Sequence, residues 1–155
     1  MAFMKEIKLT KGKTAVVDDC DFEELNSKKW HYTSSGYAAR RSWPDNKIVL
    51  MHRQIMSTPK GMDTDHKNQN KLDNRRDNLR IGTRSQNNMN QTKQRHNTSG
   101  FKGVMWQKSK SLWVARVGLV YAGKFKNKED AARAYDKKAK ELFGEFAKLN
   151  FPEAA

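Results

Sequence analysis

The segment that decides the fold of the first part of this chain is DTDHKNQNKLDNRRDNLRIGTRSQNN, residues 63–88. Asp65 and His66 stand side by side near its start. After a polar loop comes LRIGT (79–83), which alternates apolar and polar residues as a strand does. TRSQ (83–86) then forms a capping box, a pattern typical of the start of a helix. The segment therefore predicts a strand, a long loop, a second strand and a helix.

Asp65 and Asn87 are the candidate ligands of a metal ion. In a hairpin of this kind the first strand lies across the first turn of the helix, so the two side chains are expected to converge on one cation. Both offer hard oxygen ligands, which suit Mg²⁺, with Mn²⁺ as a substitute, better than Zn²⁺ in a chain with one cysteine. His66 points to the other side of its strand, where an imidazole with a pKa of about 6.5 can be neutral and accept a proton from water.

The run MHRQIM, followed by the segment above, resembles the HNH endonuclease motif. The variant is the one found among phage and intron homing endonucleases, in which asparagine replaces the final histidine. The resemblance implies that His66 is the general base and that Asp65 and Asn87 hold the metal. It also implies that Asn78 fastens the long loop by side-chain to backbone hydrogen bonds. His52, from the MHR that precedes the segment, is a further catalytic candidate.

Two positions depart from the family pattern. Lys67 stands where an apolar residue is usual, and Gln69 stands where glycine is usual. Neither belongs to the catalytic set, but Gln69 is expected to reshape the loop.

Three arginines cluster beside the predicted site: Arg75, Arg76 and Arg80. One interpretation is that they clamp phosphates on either side of the scissile bond, which would position a duplex without reading its sequence. The other is that they are solvated charges on a loop. The sequence leaves both open.

The charge of the chain indicates the class of partner. The 155 residues carry a formal net charge of +14, which implies a polyanion, and nucleic acid is the first candidate. A membrane surface competes, but the sequence has no long apolar run, lipidation signal or cationic amphipathic helix. The N-terminus lacks the apolar core of a secretion signal and Cys20 has no disulfide partner, so the expected location is cytoplasmic, in the host cell if the protein is phage-encoded.

Residues 1–50 are expected to form a small β-meander. Short alternating runs, among them EIKLT, KTAVVD and KIVLMHR, are separated by turn sequences. The acidic residues between positions 18 and 24 favour a solvated acidic turn over a second metal cluster. On a later hairpin, Arg40, Arg41 and Lys47 are either scattered surface charges or contacts to DNA phosphates.

Residues 91–99 are expected to be a basic linker. The composition there is polar and without periodicity, and Lys93 and Arg95 suit contact with a DNA groove. The predicted order along the chain is an N-terminal β region (1–50), an HNH ββα-metal module (51–90), the linker (91–99) and a C-terminal domain (100–152).

The C-terminal domain has the pattern of three short strands followed by a helix. FKGVMWQ, SLWVARV and YAGKF are typical of strands, and Asn127 precedes a helical segment that ends at Gly144. The helix has a face that can lie close to a sheet, formed by Ala131, Ala132, Tyr135, Ala139 and Leu142. The inner face of that sheet is expected to carry Val104, Trp106, Trp113, Ala115, Val117 and Phe125. Packing in the core is favoured over base stacking for both tryptophans.

The C-terminal domain resembles the plant APETALA/ethylene-response-factor DNA-binding domain. The resemblance rests on TSGFKGV, WVARV, the GKF before the helix and AARAYDKKAKELFGEFAKLNFP, in that order. In that family the outer face of the sheet enters the major groove of DNA. The resemblance therefore implies contacts to bases or phosphates by Lys102, Met105, Gln107, Arg116 and Tyr121. One departure is the hairpin between Val117 and Gly123, which is shorter than usual in the family.

These patterns predict an α+β protein with a small N-terminal β-meander, a ββα-metal HNH module and a C-terminal three-stranded antiparallel sheet packed on one helix. The predicted function is a sequence-preferring, Mg²⁺-dependent DNA endonuclease of the homing type. Double-stranded DNA is the expected partner, without a membrane or a small-molecule substrate, and a monomer or weak dimer is expected. The alternatives are a non-enzymatic, sequence-specific DNA-binding regulator and an RNA-binding protein, which only the charge supports.

Overall fold

The computed structural model describes residues 4–91, 93 and 95–152 of the chain. These residues form two compact units, and the division along the chain falls between Asn87 and Asn88. Within the ranges described, no helix has both the length and the apolar character needed to cross a membrane.

The first unit is built from short strands and short helices. In chain order they are β1 (Met4–Lys8), β2 (Thr14–Asp18), α1 (Asp19–Asn26), β3 (His31–Tyr32), β4 (Ala38–Arg41), β5 (Ile48–Leu50), α2 (Met51–Ile55), β6 (Asp63–His66), β7 (Leu79–Gly82) and α3 (Arg84–Met89), whose last residues belong to the second unit. Strands β1 and β2 pair with each other, β3, β4 and β5 form an antiparallel meander, and β6 and β7 form the hairpin with Asp65 and His66.

The prediction of one N-terminal β-meander is wrong, because the first hairpin and the β3–β4–β5 sheet are separate. The second edge of β2 is occupied by the loop that follows β6. Val16 N–H donates to the Leu72 carbonyl at 2.8 Å, and Asn74 N–H donates to the Val16 carbonyl at 2.8 Å. Because this edge of β2 is already hydrogen-bonded, β3 pairs with β4 instead. The predicted acidic turn is a full helix, α1, which begins directly after β2.

One hydrophobic core joins the N-terminal residues to the β6–β7 hairpin. Alternation along β1 and β2 directs Ile7 and Val17 inward, where they pack in the same cluster as Met51 and Leu79. The predicted boundary at residue 50 therefore lies inside a shared core. Residues 4–50 are part of the same compact unit as the hairpin.

The second unit contains a three-stranded antiparallel sheet and a long helix, as predicted. Its elements are β8 (Val104–Gln107), β9 (Leu112–Val117), β10 (Val120–Phe125) and α4 (Lys128–Phe143). The sheet order is β10–β9–β8, and α4 packs on one face. The core is formed by Val104, Ala115, Val117, Ala131, Ala132, Tyr135 and Ala139. Small residues on α4 allow this close packing, as the alanine pattern indicated.

Three side chains differ from the predicted arrangement of this core. Leu142 is exposed, and its neighbour Phe143 packs against the core instead. Trp106 is also exposed and packs on Trp113, its register partner, with ring centroids 5.0 Å apart. Val114, which alternates with Trp113 and Ala115 and so is expected on the outer face, is buried. The alternation of side chains along the strands predicts which face each one lies on. It does not predict how much of each face is covered by neighbouring side chains.

The predicted linker is partly tied to the second unit. Ser99 is buried and its hydroxyl donates to the Val104 carbonyl at 2.8 Å. Asn97 accepts from Gly100 N–H at 2.8 Å and donates to the Phe101 carbonyl at 2.7 Å. Positions 92 and 94 of the predicted linker lie outside the described residues. Residues 97–99 therefore belong to the fold of this unit.

A buried carboxylate fastens the end of the chain to α4. Asp136 accepts hydrogen bonds from the backbone N–H groups of Asn150 and Phe151, both at 2.8 Å. Asn150 in turn accepts from Lys102 N–H at 2.6 Å and donates to the Lys102 carbonyl at 3.1 Å. Asp136 thus links the helix to the strand side of the unit through the closing segment.

We predict that Asp136→Ala destabilises the second unit by on the order of 3 kcal/mol, because two backbone donors lose a charged acceptor in a buried site. Glu141→Ala is the matched control on the same helix, since Glu141 forms an exposed ion pair with Lys138 and its loss should change stability by less than about 0.5 kcal/mol. Urea denaturation, with hydrogen exchange of the α4 amides, measures both. Equal losses in the two variants would contradict this account of Asp136.

Candidate active site

The β6–β7 hairpin places the first two candidate residues. Asp65 pairs with Arg80 across the hairpin, and His66 pairs with Leu79. Asp65 and His66 are both buried, at 8% and 4% exposure. Because successive side chains of a strand point to opposite faces, the carboxylate and the imidazole lie on different sides of β6, as expected.

The capping box brings Asn87 into the first turn of α3. Thr83 N–H donates to Oε1 of Gln86 at 2.8 Å, and Gln86 N–H donates to Oγ1 of Thr83 at 3.3 Å. Asn87 N–H donates to the Thr83 carbonyl at 2.9 Å, and the Asn87 side chain is half-buried. The predicted start of this helix is therefore confirmed.

Asn78 ties the long loop together from its far end. Its Oδ1 accepts from Asn68 N–H at 3.0 Å, and its Nδ2 donates to the Asp73 carbonyl at 2.7 Å. These are side-chain to backbone hydrogen bonds of the kind implied by the resemblance. Gln69, the departure from glycine, adopts a positive φ of 65°. The backbone at this position therefore keeps a conformation that favours glycine, at some cost in strain.

His66 is held by a residue that the sequence reasoning missed. Its Nε2 lies 3.3 Å from Oδ1 of Asn74, a fully buried side chain. Nδ2 of Asn74 donates to the Leu72 carbonyl at 3.2 Å, which orients the amide oxygen towards the ring. The imidazole then carries its proton on Nε2, so Nδ1 is the basic nitrogen. No sequence signal separates Asn74 from the other asparagines of the loop.

Burial lowers the pKa of His66 below its ordinary value, against the opposing effects of Asn74 and Asp65. The imidazole is therefore neutral at physiological pH. A neutral imidazole is the protonation state that a general base requires.

His52 packs directly against His66. The ring centroids are 4.9 Å apart, and Tyr37 lies 5.0 Å from His52 and 6.0 Å from His66. Nδ1 of His52 is buried without a hydrogen-bond partner among the described residues. Burial, followed by the charges of His66 and Arg53, lowers the pKa of His52 from 6.5 to about 3. His52 is thus a neutral ring that supports the candidate base.

Each of the three arginines expected near phosphates faces a carboxylate within the chain. Arg80 is buried, and its Nε and Nη2 donate to Oδ2 of Asp65 at 3.0 and 2.8 Å. Arg75 forms a bidentate ion pair with Asp73, in which Nε donates to Oδ1 and Nη2 donates to Oδ2, both at 2.7 Å. Neither of the two earlier interpretations included such ion pairs. The pairing orients Asp65 from the neighbouring strand.

Arg76 is paired in the same manner with the N-terminal helix. Its Nε and Nη2 donate to the Asp21 carboxylate at 2.8 and 2.6 Å, and its N–H donates to Oδ2 of Asp18 at 2.8 Å. Asp18 and Asp21 therefore anchor the loop between β6 and β7. They are neither a metal cluster nor a purely solvated turn.

The donor set suits a hard cation. Asp65 supplies a carboxylate from β6 and Asn87 supplies an amide from α3, and both are oxygen donors. The described part of the chain contains no group of three or more His, Cys, Asp or Glu side chains that could hold a metal ion. A closed site of the zinc type is therefore not formed by these residues.

The outer face of the C-terminal sheet presents a mixed polar and apolar surface. Met105 and Tyr121 are 56% and 50% exposed, and Arg116, the register partner of Tyr121, is exposed beside it. A register shift between Tyr121 and Gly123 turns Lys124 onto this face, with its Nζ 6.0 Å from the Tyr121 ring centroid. The sequence reasoning missed Lys124 because the shift breaks the alternation.

The other predicted DNA contacts in this unit are placed differently. Lys102 donates from Nζ to the Met89 carbonyl at 2.5 Å, and burial, then Lys148, lowers its pKa to about 8. Lys93 donates to the Gly100 carbonyl at 2.9 Å, whereas Arg95 is exposed. These two lysines therefore contribute to the fold of the unit.

Gln107 also differs from a groove-facing side chain. Its Oε1 is buried and has no hydrogen-bond partner in the described part of the chain. Only part of the predicted contact set, namely Met105, Arg116 and Tyr121, therefore lies exposed on one face.

Comparison with known proteins finds one matching family model and two related proteins. A family model described as HNH endonuclease matches residues 57–89. An uncharacterised HNH endonuclease of Acanthamoeba polyphaga mimivirus is 33% identical over 149 residues, which cover 90% of this chain and 76% of that protein. Protein 3.8 of Escherichia phage T7 is 31% identical over 94 residues, which cover 59% of this chain and 78% of that protein. No solved structure is significantly similar to the chain.

The buried His52 predicts acid sensitivity of the first unit. Its pKa is about 3 in the folded chain and 6.5 when exposed, so below pH 6.5 the unfolded chain binds a proton that the folded chain does not. Above pH 6.5 His52 is neutral in both states and the folded chain has its full stability. The free energy of unfolding then falls as the pH is lowered from 6.5 towards 3, by about 2 kcal/mol at pH 5.

His52→Phe keeps a ring against His66 but cannot titrate. Urea denaturation of both proteins at pH 7 and pH 5 should show a smaller loss of stability for the variant. An identical loss would mean that His52 is accessible to protons in the folded state.

Proposed function

Because the chain belongs to the HNH endonuclease family, we propose that it is a Mg²⁺-dependent, sequence-preferring DNA endonuclease of the homing type. Endonuclease activity on DNA follows from the family itself. The observation that carries the finer proposal is the neutral His66, oriented by buried Asn74 and adjacent in sequence to Asp65. A base and a metal-ligand carboxylate from one strand suit phosphodiester hydrolysis.

Asp65 and Asn87 are proposed to hold the divalent ion that endonucleases of this family generally use. When bound, Mg²⁺ or Mn²⁺ supplies stabilisation of negative charge on the scissile phosphate and the leaving 3′ oxygen. Arg80 orients the Asp65 carboxylate through its two hydrogen bonds to Oδ2. Asn78 holds the loop that encloses the site, through its bonds to the backbone of Asn68 and Asp73.

His66 is proposed to act as the general base. Its Nδ1 accepts a proton from a water molecule, whose oxygen attacks the phosphorus atom in line with the leaving group. The bond between phosphorus and the 3′ oxygen breaks, and the released oxygen takes up a proton from solvent. The products are a 5′-phosphate and a 3′-hydroxyl. Asn74 keeps the imidazole in the tautomer that this step requires.

The C-terminal unit is proposed to recognise DNA through the outer face of its sheet. Support comes from the resemblance to the APETALA/ethylene-response-factor domain and from the exposed side chains of Met105, Arg116 and Tyr121. Lys124 joins this set because of the register shift in β10. Arginine can bond to guanine in the major groove, and apolar side chains can contact thymine methyl groups.

We predict that His66→Ala lowers the rate of cleavage by on the order of 10²-fold or more, because the step loses its general base. DNA affinity should stay within a few fold, since charge and the C-terminal sheet supply it. His96→Ala is the control, because His96 is exposed in the second unit. A His66→Ala variant that cuts near the wild-type rate would show that the base is another group.

A second prediction separates base reading from backbone contact. Arg116→Ala should lower the preference for a cognate duplex over a scrambled one. Arg95→Ala should weaken both duplexes alike and reduce the slope of log affinity against log salt by about one unit, because the Arg95 side chain is exposed. Fluorescence anisotropy over a salt series measures both effects. If Arg116→Ala weakens the two duplexes equally, the sheet face binds phosphates only.

A further inference from the structure

Trp43 is a large aromatic side chain that does not pack into either hydrophobic core of the described residues. It lies in the loop between β4 and β5 and is 92% exposed. The other tryptophans are packed: Trp30 is buried and its Nε1 donates to the Leu25 carbonyl at 2.8 Å, while Trp106 and Trp113 lie against each other. The indole of Trp43 therefore has nearly its whole surface available to a partner.

The loop that carries Trp43 is held in a defined conformation. Ser42 N–H donates to the Lys47 carbonyl at 2.9 Å, and Lys47 N–H donates to the Ser42 hydroxyl at 3.2 Å. Arg41 closes the loop further by donating from Nη1 to Oδ1 of Asn46 at 3.1 Å. The ring is thus presented on an ordered hairpin end, which reduces the entropy lost on binding.

The charges around Trp43 favour an anionic partner. Arg41 and Lys47 flank the loop and are exposed, and Asp45 offsets one of them through a 3.2 Å ion pair with Lys47. The chain as a whole carries a formal net charge of +14. An exposed ring among cations on a strongly basic chain suits nucleic acid better than a neutral or basic protein surface.

The hairpin also connects Trp43 to the candidate active site. Tyr37 precedes β4, and its ring centroid is 6.0 Å from that of His66. Trp43 follows six residues later on the same stretch of chain. At roughly 3.3 Å per residue, the backbone path spans at most about 20 Å, or roughly six base-pair steps of 3.4 Å. A duplex at the active site is therefore within reach of the indole.

We propose that Trp43 stacks on a base of the DNA substrate at a locally unstacked step. This rests on the proposed function, because DNA is the partner. The flat indole buries its surface against a base, while Arg41 and Lys47 hold the phosphates on either side. Unstacking a step in a duplex costs a few kcal/mol, so a mismatch, which has lost part of its stacking, is the preferred position.

The first experiment measures affinity in EDTA, which removes the metal needed for cleavage. Trp43→Ala should bind a duplex that contains one central mismatch about 5- to 150-fold more weakly than the wild type, the range expected for one stacked base. Trp43→Phe should bind nearly as tightly as the wild type, because it keeps a ring. Ile48→Ala is the matched control, since Ile48 is 64% exposed on the same hairpin but has no π-face; its affinity should stay within about twofold.

The second readout is the preference for the mismatched duplex over the fully paired one. The wild type should show such a preference and Trp43→Ala should lose it, which a general loss of folding would not produce selectively. A 2-aminopurine placed at the mismatch should be quenched by the wild type and by Trp43→Phe but not by Trp43→Ala.

Two results would overturn the proposal while leaving the nuclease function intact. One is DNA binding and mismatch preference that do not depend on Trp43. The other is a change in oligomeric state of Trp43→Ala in the absence of DNA, seen by sedimentation, which would assign the indole to contact with a second copy of the chain. A wild-type protein that binds no duplex at all would overturn the DNA-binding function and this proposal together.

Discussion

The pairing of β2 with the loop after β6 is the interaction on which the nuclease unit depends. Two backbone hydrogen bonds join Val16 to Leu72 and Asn74. They fix the backbone on both sides of Asp73, so that the Asn74 side chain is completely buried and its Oδ1 faces His66. A loop of this length would otherwise lose much conformational entropy on ordering. The N-terminal hairpin therefore takes part in positioning His66, the candidate base.

Local chemistry made much of the site predictable from the sequence. The capping box places Asn87 in the first turn of α3, and the polar loop between two alternating segments predicts the hairpin with Asp65 and His66. Such features depend on residues a few positions apart, whose geometry is fixed by the helix or strand itself. The alanine face of α4 was predictable for the same reason.

The features that could not be predicted join residues far apart in the chain. Val16 pairs with a loop more than fifty residues later, and Arg76 reaches the Asp21 carboxylate of α1. A period of two or 3.6 residues carries no information about such partners. The same holds for Asp136 and Asn150, whose link closes the second unit. Whether an arginine faces phosphate or a carboxylate is likewise set by tertiary contacts.

These ion pairs change how the net charge of +14 is interpreted. Arg75, Arg76 and Arg80 each face a carboxylate, so the cations nearest the candidate base serve mainly to order the loop. In the proposed function, the charges that contact DNA lie instead at Arg95, on the outer face of the C-terminal sheet and on the β4–β5 hairpin. The proposal therefore assigns DNA binding to basic residues other than the three that order the loop beside His66.

The most direct test of the central claim is incubation of the wild-type chain with supercoiled plasmid in Mg²⁺ or in EDTA, followed by analysis of the DNA ends. The account predicts nicked or linear plasmid in Mg²⁺ only, with 5′-phosphate and 3′-hydroxyl ends that a ligase can rejoin. Cleavage that continues in EDTA, or plasmid that stays supercoiled in both Mg²⁺ and Mn²⁺, would contradict it.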